Sequence, residues 1–542
     1  MKINRDNQNG RRNIDHTINI SVIFIASVLL IGSLLPTSLD IFPVDLSNKV
    51  YADKVTGTDD NDNLEGSDGD DEIEGKGGND KIKSKGGNDR NTGDNEDGSG
   101  DGGDDEIDSG DGDDENVGDN LSGDGNGGND KIKSGDGDDF NRGDNVFGAG
   151  NGGDDEIDSG DADDYNIGDN EFGFGNGGDD VIKSGKGNDH NVGDNYIGDG
   201  NGGNDIIKSG KGDDQNTGDN EFDFGNGGDD KINSGDGNDL NTGDNNYGNG
   251  NGGDDVIKSG KGDDYNIGDN GDNGFGGGEG GDDVIKSGKG NDNNVGDNYF
   301  GDGNGGNDII KSGNGDDYNI GDNRYSKGDG GDDVIVSGTG NDINTGDNDA
   351  GYDVFGFSGN GGNDIIKSGE GGDYNTGDNS FGGGDGGDDI IDSGEGGDYN
   401  IGDNGYGGGN GGDDIIKSGA GDDYNIGDGY YGLFGEIPFG NGGDDIIKSG
   451  SGNDFNTGDN ALVNGDGGDD IIKSGKGDDL NLGDSQFGTL IGGNDKINAG
   501  QGDDSIIGGS GADKFQCGQG IDTITDFNEA EGDKASGNCE VK

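Results

Sequence analysis

Residues 177–195 read GGDDVIKSGKGNDHNVGDN. The stretch holds four Asp, five Gly and one strongly apolar pair, Val181-Ile182. It has little to bury and several like charges to keep apart. Near-copies of it fill most of the chain. Aligned on the core GG-(D/N)-D-x-I, the glycine pairs begin at Gly77, Gly102, Gly127, Gly152, Gly177, Gly202, Gly227 and Gly252, a constant step of 25. They continue at Gly280, Gly305, Gly330, Gly361, Gly386, Gly411, Gly442, Gly467 and Gly492, which makes 17 units. The irregular steps are longer, of 28, 31 and 31 residues. Each insertion follows the GDN or its variant, as in GDNGFGGGEG from Gly271, DAGYDVFGFSGN from Asp349 and GYYGLFGEIPFGN from Gly429. Insertions at one fixed phase mark a loop on one face of a stacked repeat.

Each unit divides into three arms. Gly175–Lys183, GNGGDDVIK, fits G-x-x-G-x-D-x-U-x with U apolar. Ser184–Val192, SGKGNDHNV, has the same outline but places Asn191 at U. Gly193–Asp199, GDNYIGD, is a shorter third arm. Glycine supplies positive φ and close backbone approach, and the D-x-U-x segments supply short β arms. The expected fold class is therefore all-β, a parallel β-helix or β-roll solenoid of about 17 coils with a 25-residue period and a C-terminal cap.

The composition sharpens this reading. Among 542 residues, 135 are Gly, 120 are Asp or Glu, 23% are hydrophobic, and the net charge is −85. Low apolar content with high charge of one sign is the composition of disordered chains, and only the fixed period argues otherwise. The negative field excludes nucleic acid as a natural partner and favours cations. A coil offers few apolar side chains against the entropy of ordering 25 residues, roughly 1–2 kcal/mol each, so a further source of stability is expected. Divalent ions fit that role. The donors on offer are Asp carboxylates and Gly-rich carbonyls, hard oxygens that suit Ca²⁺ with its six to eight flexible ligands. Zinc or copper would want His or Cys, and the chain has two of each. Mg²⁺ demands a tight octahedron and resists dehydration.

Several blocks come close to G-G-x-G-x-D-x-U-x: GSDGDDEIE from Gly66, GKGGNDKIK from Gly75, AGQGDDSII from Ala499 and GGSGADKFQ from Gly508. With the ending GADKFQCGQGIDTITDF, the chain from Gly57 to Phe527 resembles the RTX, or haemolysin-type, calcium-binding repeats. The resemblance implies paired turns that hold Ca²⁺ between Asp carboxylates and turn carbonyls, and a chain that folds only with calcium. The 25-residue period departs from the 18 that two plain nonapeptides would give. It leaves open which turns stack on which and how many ions a coil holds. Charge balance suggests about two.

The expected ligands are the Asp at position six of each nonapeptide. In the first arm these are Asp80, Asp105, Asp130, Asp155, Asp180, Asp205, Asp230, Asp255, Asp283, Asp308, Asp333, Asp364, Asp389, Asp414, Asp445, Asp470 and Asp495, with Asp513 in the last block. In the second arm they are Asp89, Asp114, Asp139, Asp164, Asp189, Asp214, Asp239, Asp264, Asp292, Asp317, Asp342, Asp373, Asp398, Asp423, Asp454, Asp479 and Asp504, with Asp71 in the block from Gly66. The bland alternative is that they cap turns. The GD of the third arm, as in Asp169, Asp194 and Asp219, reads equally as ligand or turn former.

In 16 units the second arm carries N-x-G-D, from Asn91 to Asn481, and only the last reverts to an apolar residue, Ile506. If position eight faces inward, these Asn stack as an amide ladder, a buried polar row in which every member is satisfied. If the arm is flipped, positions seven and nine face inward and the Asn form an exposed row. A one-residue register change exchanges the faces, so both arrangements stand. The third arm often carries an aromatic (Phe147, Phe172, Phe222, Phe275, Phe300, Phe381, Phe487), expected as core filling, with an exposed binding stripe as the rival.

The ends differ from the repeats. Residues 1–52 carry a basic start and the uncharged run INISVIFIASVLLIGSLL, Ile18–Leu35. This segment is expected to be a cleaved export signal or an N-terminal membrane anchor, either of which places the repeats outside the cell. Residues 53–507 are the solenoid, and 508–542 a cap over its last exposed strand. Cys517 and Cys539 are the only cysteines, and outside the cell such a pair forms a disulfide. The expected function is a secreted or cell-surface calcium-binding protein, not an enzyme, with a structural, adhesive or matrix role. Its glycan or protein partner is unnamed by the sequence. The alternatives are an exported polysaccharide-active enzyme using paired carboxylates and an ice-binding solenoid with an outward Asn array.

Overall fold

The computed structural model describes residues 53–541 except 96–99, 121–124, 149, 171, 174, 196–199, 220–224, 247–249, 272–278, 300–302, 325–327, 350–358, 381–383, 406–408, 431–440, 462–465 and 485–491. The N-terminal segment, the tips of the three insertions and five of the seven third-arm aromatics lie outside the described residues.

The described chain winds as a parallel β-solenoid. First-arm strands stack coil upon coil in one sheet. Val181–Lys186 pairs in parallel with Ile206–Lys211, matching Val181 to Ile206 and Ile182 to Ile207. Second-arm strands stack in another, where His190–Val192 pairs with Gln215–Thr217. From residue 240 onward the second strand lengthens to take in the GDN, as in Tyr265–Gly271 against Asn293–Tyr299. Among the described residues the sheets hold 20 and 21 strands. The coil count therefore differs from the 17 read off the 25-residue units. Shorter coils flank the array, with an 18-residue step from Asn63 to Lys81 at one end and from Lys496 to Lys514 at the other. These are the stretches where the third arm is missing.

The apolar core is thin and one-dimensional. One isoleucine per first arm (Ile182, Ile207, Ile232, Ile257) is buried directly above the next. Facing this column is the Asn row, turned inward. Asn166 donates from Nδ2 to Oδ1 of Asn191 at 2.9 Å, and Asn191 donates to Asn216 at 2.8 Å. Each Asn also donates to a serine seven residues earlier, as Asn191 does to Ser184 Oγ at 3.2 Å. The amides are thus satisfied both along the stack and across the coil, which is the condition for burying polar groups. Val192 is buried as well as Asn191, because the chain turns immediately afterwards at Gly193-Asp194 and position nine lies inside the corner.

Two glycines show why this path needs them. Gly185 sits at φ +97°, in the left-handed region that L side chains avoid. A Cβ on Gly178 would collide with the carbonyl oxygen of Gly153 in the adjoining coil.

Of the third-arm aromatics, Phe147 and Phe172 stack at 5.1 Å, but Phe147 is 54% exposed. It does not fill the core as expected, because the corner is already occupied by Val146 and the buried Asp row. Position-seven rings of the second arm also stack along the outside of the coil, as Tyr374, Tyr399, Tyr424 and Phe455 do at 4.5–4.8 Å.

Both sheets run on through residues 508–541. Lys514–Gln516 pairs with Lys534–Ser536, and Asp522–Ile524 with Cys539–Val541. Phe515 and Ile524 plug the last coils, and a disulfide joins Cys517 to Cys539.

Candidate metal centre

Every Asp expected at position six is buried, from Asp71 to Asp513. The structure sorts them into two columns. In the first-arm column each carboxylate receives the backbone amide of its counterpart one coil earlier. Asp155 N–H donates to Asp180 Oδ1 at 2.6 Å, and Asp180 N–H to Asp205 Oδ1 at 2.7 Å. The second-arm column repeats the pattern, with Asp164 N–H to Asp189 Oδ1 and Asp189 N–H to Asp214 Oδ1, both at 3.0 Å. Asp71 joins the second column by donating to Asp89, and Asp513 continues the first by accepting from Asp495. Residues absent from the sequence reading extend the columns at both ends: the backbone amides of Asp53 and Asp62 donate to Asp71 and Asp80, while Asp522 accepts from Asp504 and Asp533 from Asp513.

The third-arm Asp form another column, and the structure joins it to the first. Asp194 Oδ2 accepts the amide of Gly203 at 2.7 Å, and Asp169 Oδ2 that of Gly178 at 2.8 Å. Their carboxylates stand close to the first-arm Asp between them. Asp169, Asp180 and Asp194 offer carboxylate oxygens that lie within 4.8 Å of one another, and so do Asp94, Asp105 and Asp119, or Asp119, Asp130 and Asp144. The reading that left the GD of the third arm undecided thus resolves toward the acidic cluster. The decisive feature, the corner that folds Gly193-Asp194 back onto Asp180, depends on which arms stack together, and the linear sequence does not state that.

These clusters have the chemistry of a hard-cation site. Oδ2 of Asp180, Oδ2 of Asp189 and Oδ1 of both Asp169 and Asp194 are buried and accept no hydrogen bond. A buried carboxylate oxygen without a partner is costly, and here the pattern recurs coil after coil. Glycines keep the space open, since a Cβ on Gly168 would strike Asp180 Oδ2 and one on Gly177 would strike Asp194. Carboxylate oxygens gathered this closely match the shared-ligand geometry of a hard cation such as calcium, whose ligands lie at about 2.3–2.6 Å.

The electrostatics agree. Burial, followed by the charges of Asp169 and Asp194, holds the Asp180 carboxyl well above the usual range. Burial, opposed by several hydrogen bonds and helped by the charge of Asp244, takes Asp194 to about 6. At Asp105 burial raises it to about 8. The second-arm column is displaced the same way, to about 6 at Asp189, 7 at Asp214 and 8 at Asp139, with burial the largest cause in each case. Without a cation these sites hold protons more tightly than ordinary carboxylates do.

The family profile described as RTX calcium-binding nonapeptide repeat (4 copies) matches residues 56–90, 165–195, 197–224, 224–240, 278–293, 357–374, 439–455 and 491–524. No curated protein matches the chain. The matched stretches carry both Asp columns and lie along the whole solenoid. The chain carries RTX calcium-binding nonapeptide repeats at intervals from residue 56 to residue 524.

Proposed function

We propose that the chain is exported, orders itself on binding calcium outside the cell, and serves there as a structural, adhesive or matrix solenoid without enzymatic activity. The observation that supports this reading is the recurrence of buried carboxylate oxygens that accept no hydrogen bond, in every 25-residue coil. The 36 position-six Asp are the proposed ligands, joined by the third-arm Asp. Two ions per coil follow, one among the convergent first- and third-arm carboxylates and one along the second-arm column. Residues 1–52 act as export signal or anchor, 53–507 as the calcium-binding array and 508–542 as the cap. No pair of carboxylates departs from its repeated context, which disfavours the polysaccharide-cleaving alternative. The ice-binding alternative needed an outward Asn row, and the ladder faces inward.

The test is a calcium count. Residues 53–542, dialysed against millimolar calcium and then buffer of known free calcium, should retain ions in proportion to coils, near two per coil by atomic emission. Retention of only a few ions per chain would contradict the reading.

A further inference from the structure

We propose that the outer face of the first-arm sheet docks an acidic polysaccharide, laid along the solenoid axis between two rows of lysines. In this sheet Lys258 stands directly opposite Lys286, and Lys286 opposite Lys311. A second row runs beside it, where Lys186 is matched to Lys211 and Lys261 to Lys289, with Asp236 standing between the two lysine pairs. The serine between the rows is buried, as Ser259 and Ser287 are. At the surface the rows are therefore separated only by the glycine column of Gly260 and Gly288, which are in register. The result is a shallow trough with a side-chain-free floor and lysines on both edges.

This arrangement is costly as it stands. Like charges directly opposite in neighbouring strands destabilise a sheet, and the coils are only about 4.8 Å apart. The chain does not lack carboxylates to intersperse. On the same face nearer the N-terminus, Lys183 pairs with Glu156 and Lys186 with Asp161, and further on Lys261 pairs with Asp236. Among the described residues, Lys208, Lys258, Lys286, Lys289 and Lys311 form no such pair, while Lys211 stands opposite Asp236. They are exposed, and they gather on one face of a molecule whose net charge is −85. A linear polyanion supplies the missing counter-charge in a row.

An acidic glycan suits the trough better than other polyanions. The step between coils is close to the length of one sugar ring, so carboxylates on every second sugar of an alternating uronate chain meet every second lysine of a row. The half-buried aliphatic column of Val256, Val284 and Ile309 lies on the same face as the lysines and offers an apolar strip for ring faces. Nucleic acid carries a denser charge, which the rest of this surface repels.

The trough exists only when coils are stacked, so the inference rests on the calcium-dependent fold proposed above. The experiment separates the two. Residues 53–542 are brought to saturating calcium, β content is read by circular dichroism, and fluorescent hyaluronate oligosaccharide is titrated by anisotropy. Neutral dextran and single-stranded DNA serve as controls. The account expects full β signal, binding of hyaluronate but not dextran, weakening by added salt, and loss of about tenfold in affinity in K258Q/K286Q/K289Q. The control K81Q/K131Q, at lysines already paired with Glu106 and Glu156, should bind as the parent does. Full β signal with no hyaluronate binding overturns the lysine trough alone. So does equal binding by the triple variant, or tighter binding of DNA. Absence of β signal in calcium overturns the calcium reading and removes the trough with it.

Discussion

Asp194 has one oxygen on the amide of Gly203, and its carboxylate stands close to those of Asp169 and Asp180. Asp179, its neighbour in the same unit, is exposed and accepts from the amide and side chain of Asn204. The two make a matched pair for testing ligation. D194N keeps the shape and removes the charge, so at limiting calcium the amides of 178–205 should exchange about tenfold faster or more, whereas D179N should leave them unchanged. Equal effects would mean that the carboxylates act only as turn formers. Asn191 carries a different load, because replacing it by Ala leaves Asn166 without its acceptor and Ser184 without its donor. N191A in saturating calcium should destabilise its coils by about 1–3 kcal/mol, read as lost hydrogen-exchange protection in residues 166–216. The regular stacking of the position-six Asp was legible from the sequence because their spacing repeats. The direction of the Asn was not, since a one-residue slip swaps the faces. The serine partner was hidden for another reason. Ser184 and Asn191 lie on different sheets and meet only across the coil.

At the scale of the strand, each element is too short to stand alone, and stacking is what holds it. His190–Val192 has three residues, and its neighbours above and below are the same segment one coil away. The isoleucine column is then the main apolar contribution. I207A should cost about 2–5 kcal/mol, felt by the coils on either side rather than by the whole chain, because repeat stability is a sum of local units and nearest-neighbour interfaces. Hydrogen exchange by segment is the suitable readout, and uniform loss of protection from end to end would contradict a local, stacked core. The arms were legible from glycine spacing and the D-x-U-x pattern. The flanking 18-residue coils were not counted as units because the alignment was anchored on the GG-(D/N)-D-x-I core, which the blocks around Asn63 and Lys514 lack.

For the whole molecule, charge and fold are one question. The buried carboxylates have their pKa raised in the folded chain, to about 6–8 at Asp189, Asp214 and Asp139, against an ordinary value of 3.8. A folded chain that holds protons more tightly than the unfolded one is favoured at low pH. Its calcium-free stability is fully present below about pH 4 and is lost as pH rises through 6–8. In chelator, the β signal should thus be larger at pH 5 than at pH 8, and the calcium midpoint should move to higher concentration as pH falls, because protons and calcium compete for the same oxygens. A calcium midpoint that does not move with pH would place the ions elsewhere. The period and the acidic composition made the need for a cation legible at this scale. The second lysine row and the inward corner emerge only once the coils are stacked.

The most direct test of the account is far-UV circular dichroism of residues 53–542 during a calcium titration, with magnesium in parallel. The account predicts little β signal in chelator at pH 8, a cooperative rise at about 10⁻⁴–10⁻³ M calcium, the range of extracellular modules, and no comparable rise with magnesium. A full β signal in chelator at pH 8 would contradict it, and the Asn ladder and isoleucine column would then have to hold the solenoid without the ion.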